Sequence, residues 1–315
     1  MKHLKENDLN GIMLLVKATE LVTTPSIGES FHAAGQDDVS ISPSTITVDD
    51  DNISCSSQAI TMSHLISVEL STSPRPTYMI GQPSLTIEAR AGVVLLLMKL
   101  HCTHQFVPET LSLAVNILDR ILTKKSVTER DLKLFGVMSL IIASKLLDTY
   151  QELKLEQLVE YLSSMSYTKN ELIHTEQEIL ERLNYRVSVP TAYTFLYVCM
   201  EITGRIVKNK DITKDASFIL DGTLPRYHLL EYMPSEIAFG SIFIARILNG
   251  ANPWSEALAT STMLSEEDIV PIARSILSTI TQVKCMSEFR WMKDKYDKLN
   301  DEVYYQTLWD LHLCV

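Results

Sequence analysis

The stretch LKLFGVMSLIIASKLL, residues Leu132 to Leu147, decides the fold class of this chain. Its apolar residues fall on every face of a helical wheel, and a helix of that kind is buried on all sides. It is also too short and too close to charged residues to cross a bilayer, which takes about 18 or more apolar residues. We therefore expect other helices to surround it and to place it at the centre of a bundle.

Segments with helical periodicity lie on both sides of this central stretch. A first unit is completed by segments at 85–104, from Pro108 onward, at 154–162 and at 168–184. The rhythm starts again after Pro190, with segments at 191–203, 211–220, 234–248, 254–261, 266–283 and 288–299. Strand-like alternation is not sustained outside the N-terminal tail, so the sequence predicts an all-α fold.

Two stretches of small residues suggest that the chain repeats one five-helix unit. Gly136 to Ala143 has small residues at both ends and bulky apolar residues between them, and Ala238 to Ala245 has the same spacing. Small residues two turns apart let helices pack closely, and a shared spacing is typical of a diverged repeat.

We expect a disordered regulatory tail at 1–57, because its composition is rich in Ser, Thr and Asp. A short helix and linker at 58–82, a first five-helix fold at 83–189 and a second at 190–315 should follow.

The composition limits the classes of function. With 315 residues, 46% of them apolar, the chain has ample core for about two domains. The net charge of −11 opposes a broad phosphate-binding surface, so nucleic acid is not an expected partner. The five cysteines are widely spaced, with no CxxC pair, which is typical of reduced intracellular thiols. No signal-peptide or membrane segment is recognised, and we expect the protein in the nucleus, the cytoplasm or both.

Sequence motifs of catalysis are missing. The chain contains no GxGxxG, Walker, HExxH or GxSxG motif, so we expect neither an enzyme nor a cofactor. His101 and His104 could share one helical face, but no carboxylate or cysteine joins them at ligand spacing. We interpret them as polar residues at a helix end and expect no metal site.

Two charged residues interrupt apolar surfaces. Lys145 follows Ile141 and Ile142 on a surface that ought to be dry, where an ammonium group must reach solvent or find a partner. Glu176 lies in the apolar stripe of the fifth helix, four residues after Leu172. The stripe consists of Leu172, Ile173, Ile179, Leu180 and Leu183. The two residues could form a structural salt bridge between adjacent helices. Alternatively, they could face out of a shallow apolar surface and bind a partner protein there.

An ordered series of motifs resembles the cyclin family, in particular its A/B-type mitotic group. The resemblance runs from about Tyr78 to Gln306 and includes YM..QP.LT at 78–86, PETLSLAVNILDR at 108–120, LKLFG....IIASK at 132–145, YMPSEIA at 232–238 and WSEAL at 254–258. Cyclins consist of two stacked five-helix folds, which agrees with the predicted repeat. The resemblance implies a non-catalytic subunit that binds a cyclin-dependent Ser/Thr kinase and activates it by reorienting the kinase's C-helix. The mitotic group of the family implies a role in cell-cycle control at mitosis.

The resemblance also assigns roles to individual residues. The family's functional lysine and glutamate fall on Lys145 and Glu176, which would hold the kinase around its C-helix. The apolar part of that kinase-binding surface falls on Ile142, Leu146, Leu180 and Tyr185. Arg90 and Asp119 match the family's internal ion pair, so the resemblance gives them a structural role.

The chain departs from the family in its substrate-docking patch. The patch is formed by Ala89, Gly92, Val93, Leu96, Leu132 and Lys133. The family usually has large apolar residues there, followed by an acid, whereas this chain has smaller residues followed by Lys99. We therefore expect weak substrate docking.

The N-terminal tail carries short candidate signals. No arginine precedes Arg75, so the arginine-led destruction box of mitotic cyclins is absent. Lys5, Glu6 and Asn7 remain as a possible degron for a ubiquitin ligase, and Thr24, Ser42 and Ser73 precede prolines as possible phosphorylation sites.

Two alternatives to a kinase subunit stay open: a cyclin-fold transcription adaptor, which would need a basic face, and a helical scaffold without kinase binding.

Overall fold

The computed structural model describes residues 50–148, 157–162, 167–203 and 210–281 of the chain. Within these ranges every regular element is helical, so the predicted all-α class is confirmed. The α-helices are α1 Asp50–Thr72, α2 Ile87–His104, α3 Pro108–Lys124, α4 Glu129–Leu147, α5 Lys169–Arg182, α6 Ala192–Ile202, α7 Lys210–Thr223, α8 Pro234–Leu248, α9 Glu256–Thr262 and α10 Glu266–Thr281. Short 3₁₀ turns lie at Tyr78–Gly81 and Tyr227–Glu231, and residues 157–162 are helical.

Helix α4 is the centre of the first half, as the sequence predicted. Its residues from Leu134 to Ser144 are all buried, and it packs against α2, α3 and α5. At Gly136, α2 comes very close to α4, since a Cβ atom there would lie 2.5 Å from Cγ1 of Val93. A side chain at this position would therefore push α2 and α4 apart.

Helix α8 is the corresponding centre of the second half. It packs against α6, α7 and α10, and its residues from Ile237 to Arg246 are buried. The sequence comparison paired Gly136 with Ala238, but the close approach in this half lies at Gly240. A Cβ atom there would come within 2.8 Å of Cδ1 of Ile276 in α10. Each half therefore has a buried central helix with a close helix–helix contact at a glycine. The equivalent of Gly136 in this respect is Gly240, two residues after the Ala238 that the sequence comparison chose.

Local hydrogen bonds fix the helix starts that the sequence indicated. At the start of α5, the Thr168 N–H donates to Glu171 at 2.7 Å and the Glu171 N–H donates to the Thr168 hydroxyl at 3.3 Å, a complete capping box. At the start of α4, the Thr128 hydroxyl accepts from the Asp131 N–H at 3.2 Å, which supplies the first half of such a box. Pro108 is the first residue of α3, where its missing N–H costs no hydrogen bond.

Helix α1 is longer than the sequence predicted. A short helix and linker were expected at 58–82 and a disordered tail at 1–57, but the helix begins at Asp50, so residues 50–57 of the predicted tail are helical. The serine-rich composition favoured a tail, yet the stretch contains no proline or glycine that would end a helix. Residues 154–156, 282–283 and 288–299 of the predicted helices lie outside the described residues.

Candidate functional site

The two charged residues singled out in the sequence form an ion pair between α4 and α5. The Nζ atom of Lys145 lies 2.6 Å from Oε1 of Glu176. The expectation of a dry environment for Lys145 was wrong, because its side chain is 46% exposed, and that of Glu176 is 26% exposed. Lys145 is in the last turn of α4, where the helix carbonyls favour a cation and the chain reaches the surface.

Apolar side chains surround this ion pair at the surface. Leu146 is 39% exposed and Tyr185 is 68% exposed, while Leu180 is half-buried. Ile142, by contrast, is only 5% exposed and lies beneath the surface, so the structure does not place it on the exposed apolar face. We call Lys145, Leu146, Glu176, Leu180 and Tyr185 the α4–α5 face.

The backbone after α5 is held in an uncommon conformation that presents Tyr185 outward. Asn184 and Tyr185 both have positive φ angles, 51° and 57°. An aromatic residue in this region is strained unless neighbouring contacts hold it. The Tyr185 N–H donates to the Leu180 carbonyl at 2.8 Å, which supplies such a contact.

Sequence reasoning missed an apolar residue beside this face. Ile173 was assigned to the core stripe of α5, but it is exposed. It lies three residues before Glu176, a spacing that places two helical residues on one side. The sequence signal that could have shown this is the number of apolar residues in the stripe. Leu172, Ile179 and Leu183 form the buried side of α5, and Ile173 is left over on the exposed side.

Arg90 and Asp119 form a fully buried ion pair between α2 and α3. The Arg90 Nε and Nη2 atoms donate to the two carboxylate oxygens at 2.8 and 2.6 Å. The Tyr78 hydroxyl donates to the same carboxylate at 2.7 Å, and Arg90 Nη1 donates to the Leu224 carbonyl at 3.1 Å. Burial alone would lower the pKa of Arg90, but the adjacent Asp119 carboxylate raises it overall. The pair joins four parts of the chain and does not face solvent.

The residues of the substrate-docking patch lie at different depths. Val93 and Leu132 are buried, Ala89 and Leu96 are half-buried, and Gly92 and Lys133 are exposed. Lys133 lines a shallow pocket with Glu129, Arg130 and Tyr167. Gly92 contributes no side chain, so the apolar area offered to a ligand is small.

The remaining predicted residues fall into three groups. His101 is buried at the end of α2, where its Nε2 lies 2.9 Å from the Val107 carbonyl, in agreement with a helix-end role. Among the residues that the structure describes, no cluster of His, Cys, Asp or Glu could hold a metal ion. Lys5, Glu6, Asn7, Thr24 and Ser42 lie outside the described residues, and the hydroxyl of Ser73 is buried.

Over the described ranges, no helix has the length and apolar character needed to cross a membrane.

Comparison with known protein families gives two adjoining matches. The family profile described as "Cyclin, N-terminal domain" matches residues 60–188. The profile described as "Cyclin, C-terminal domain" matches residues 190–305. Both central helices, α4 and α8, fall within these matches.

Curated relatives are mitotic cyclins. The chain is 31% identical over 226 residues to G2/mitotic-specific cyclin-3 of Saccharomyces cerevisiae, covering 70% of this chain and 50% of that protein. It is 30% identical over 225 residues to G2/mitotic-specific cyclin-B2 of Oryzias luzonensis, covering 70% and 56%. It is 31% identical over 223 residues to G2/mitotic-specific cyclin S13-7 of Glycine max, covering 69% and 84%. The chain spans about half the length of the first two relatives.

A solved structure has the same fold. The viral cyclin from herpesvirus saimiri matches with a TM-score of 0.61 and 22% sequence identity, over 70% of this chain and 96% of that one.

Proposed function

This chain belongs to the cyclin family, and from that membership we propose that it is the regulatory subunit of a cyclin-dependent Ser/Thr kinase that acts in mitotic progression. The curated relatives are G2/mitotic-specific cyclins, which supports the mitotic assignment. The acidic charge opposes the basic face that the transcription-adaptor alternative would need.

The single observation that carries kinase binding is the exposure of the α4–α5 face. A salt bridge as exposed as Lys145–Glu176 contributes only about 0–1 kcal/mol to stability, so the fold does not depend on it. Leu146 and Tyr185 expose apolar surface around it. An aromatic anchor beside charged groups is typical of the residues that dominate protein–protein binding. We propose that the Lys145–Glu176 salt bridge opens when the kinase binds and that both side chains then contact the kinase.

We propose that this regulation needs no chemistry within the chain itself. Glu109, a buried acidic residue with a raised pKa, serves the fold. Burial raises the pKa of Glu109, opposed by hydrogen bonds from Thr194 at 2.8 Å and Thr191 at 3.3 Å. This carboxylate therefore joins α3 to the start of α6 and is buried away from any substrate.

We further propose that the residues before Asp50 control the protein's lifetime and location. Lys5, Glu6 and Asn7 would recruit a ubiquitin ligase, and the nucleus would be a site of action for a mitotic kinase subunit. The proline-directed Thr24 and Ser42 would be phosphorylated in the same segment.

Co-purification tests the proposed function. The tagged chain is recovered from dividing cells, and its bound proteins are identified by mass spectrometry. Recovery of a cyclin-dependent kinase in near-equal amount is the expected result. Variants with Leu146 or Tyr185 changed to Asp should lose the kinase, whereas exposed Met263→Asp in the second half should retain it. A chain that recovers transcription factors or no kinase would contradict the proposal.

A further inference from the structure

The backbone that follows α5 has two consecutive residues in the left-handed region, Asn184 with a φ of 51° and Tyr185 with a φ of 57°. The Asn184 N–H donates to the Glu181 carbonyl at 2.9 Å, and the next N–H donates to the Leu180 carbonyl at 2.8 Å. This is the Schellman pattern of a helix end, which requires one left-handed residue. The second, a bulky aromatic residue, adopts a positive φ at a cost. Further contacts are therefore needed to hold Tyr185 in this conformation.

Two cations of α3 supply such contacts, one at each end of the segment 182–186, which we call the α5 turn. Lys124 Nζ donates to the Arg182 carbonyl at 2.8 Å, just before the two left-handed residues. Arg120 Nη2 donates to the Arg186 carbonyl at 2.9 Å, just after them. Residues four apart lie on the same side of a helix. One side of α3 therefore fixes the backbone at both ends of the α5 turn.

The stability of the fold does not explain an arginine at position 120. Arg120 is only 7% exposed, and the ion pairs among the described residues do not include it. Its Nη1 atom is buried without a hydrogen-bond partner in the part of the chain that the structure describes. Burial and, to a smaller extent, the nearby Arg186 lower its pKa to about 10. A buried cation without a carboxylate partner is usually less stabilising than an apolar side chain of similar volume.

The α5 turn carries the aromatic residue of the α4–α5 face. Tyr185 is 68% exposed, so packing around its ring does little to fix its direction. Its direction depends instead on the backbone conformation of the turn. A side chain that is already held in its bound orientation loses less conformational entropy when a partner binds, and the complex is correspondingly tighter.

Resting on the proposed binding of a kinase to the α4–α5 face, we infer that Arg120 and Lys124 are positioning residues for Tyr185. They hold the α5 turn in the conformation that the kinase binds. Arg120 is buried, so it acts on the kinase only through the turn. Without these bonds the left-handed form of Tyr185 becomes a minor population, and the apparent affinity falls in proportion to that population.

Calorimetric titration of the full chain with a purified cyclin-dependent kinase, together with a thermal melt of each variant, tests the positioning role. Arg120→Met keeps the side-chain volume and removes the charge. It should melt at the same temperature as the unchanged protein or higher, because the buried charge is gone and water can reach the carbonyl of exposed Arg186. It should nevertheless bind the kinase about tenfold more weakly. A purely structural residue would give the opposite result, a lower melting temperature with unchanged affinity.

Lys124→Ala tests the same role at an exposed position, where folding is not at risk. It should weaken kinase binding about threefold, since one hydrogen bond to the turn is lost. Lys125→Ala is the matched control, because the neighbouring lysine contacts the Glu178 side chain instead of the turn, and its affinity should be unchanged. Arg120→Lys keeps a donor for the turn and should restore most of the affinity. If Arg120→Met and Lys124→Ala both bind the kinase as tightly as the control, the inference is overturned.

Combining Arg120→Met with Tyr185→Ala shows whether the effect passes through the aromatic side chain. Tyr185→Ala alone should weaken binding, and adding Arg120→Met should cause little further loss, because no ring remains to be positioned. An equal loss from Arg120→Met in both backgrounds would overturn the inference and leave the proposed function in place. Full binding by Tyr185→Ala would contradict the role of this residue in the proposed function, and the inference would fail with it.

Discussion

Changing Lys145 or Glu176 separately to Ala should leave the fold nearly intact and strongly weaken kinase binding. The structure sets the first magnitude, because the two side chains are 46% and 26% exposed. An ion pair of this exposure contributes about 0–1 kcal/mol. For two packed folds that corresponds to a fall in melting temperature of at most about 4 °C. A buried pair would behave differently, since breaking it costs roughly 3–5 kcal/mol.

The second magnitude follows from the proposed contact with the kinase. Truncating an interface residue that dominates binding costs about 2 kcal/mol or more, which is roughly a 30-fold loss of affinity. The assay is a thermal melt of each variant together with a calorimetric titration of a purified cyclin-dependent kinase. The two measurements separate stability from binding because they are made on the same protein sample.

The Lys125–Glu178 salt bridge supplies a matched control. It also ends on α5, but its side chains are less exposed, and Lys125 lies 4.7 Å from the centre of the Phe135 ring. Lys125→Ala should therefore lower the melting temperature more than Lys145→Ala does, with unchanged kinase affinity. The reasoning is refuted if Lys145→Ala melts far below the unchanged protein and binds the kinase equally well.

Three further predictions concern other parts of the chain. Burial raises the pKa of Glu69, which accepts from the Ser235 N–H at 3.0 Å and from the Ser235 hydroxyl, from 4.5 to about 7, with a smaller contribution from Glu236. The folded state then binds the proton more tightly, so the free energy of unfolding should fall by about 3 kcal/mol as pH rises through this interval. Urea unfolding across that range should show the fall for the unchanged protein and a flatter profile for Glu69→Gln. Replacing Lys5, Glu6 and Asn7 with Ala should let the protein persist through mitosis, and immunoblots of synchronised cells that show its normal disappearance would exclude the tripeptide as the degron. Peptides of the pattern basic-x-leucine should bind this chain on the order of a hundredfold more weakly than they would bind a patch of large apolar residues, because apolar contact area is lost and Lys99 repels the basic residue. Low-micromolar binding in a fluorescence titration would show that the groove works.

Periodicity and helix-start signals predicted most of the fold. The central helix α4 was identified because apolar residues cover all its faces, and only burial by other helices accommodates such a pattern. The start of α5 was identified because Thr168 and Glu171 satisfy free N–H groups locally. Both signals act within a few residues, so one sequence contains them completely.

Features that depend on distant packing were predicted less well. Lys145 was placed on a dry surface because its neighbours Ile141 and Ile142 are apolar. Its exposure depends instead on which part of α4 the neighbouring helices cover, and they leave Lys145 exposed. Ile173 was likewise assigned to the core stripe of α5, but it is 46% exposed. Gly240 was missed as the close contact of α8, because small-residue spacing does not show which small residue faces a neighbouring helix.

Arg120 illustrates the same limit for a buried charge. The sequence places it next to Asp119 in α3 and gives no sign of its partner. In the structure Asp119 binds Arg90, and Arg120 Nη2 donates to the main-chain carbonyl of Arg186, 66 residues away. Only the packing of α3 against the segment after α5 brings the two arginines together.

The most direct test of kinase binding through the α4–α5 face is a charge exchange in one protein, Lys145→Glu with Glu176→Lys. The double variant can remake the bridge between α4 and α5 with its polarity reversed, so it should melt within about 4 °C of the unchanged protein. It presents the wrong charges to the kinase, so activation of a purified cyclin-dependent kinase, followed by phosphate transfer to a serine-proline peptide, should be lost. Full activation by the double variant would contradict the proposal, because it would show that the two residues serve only each other.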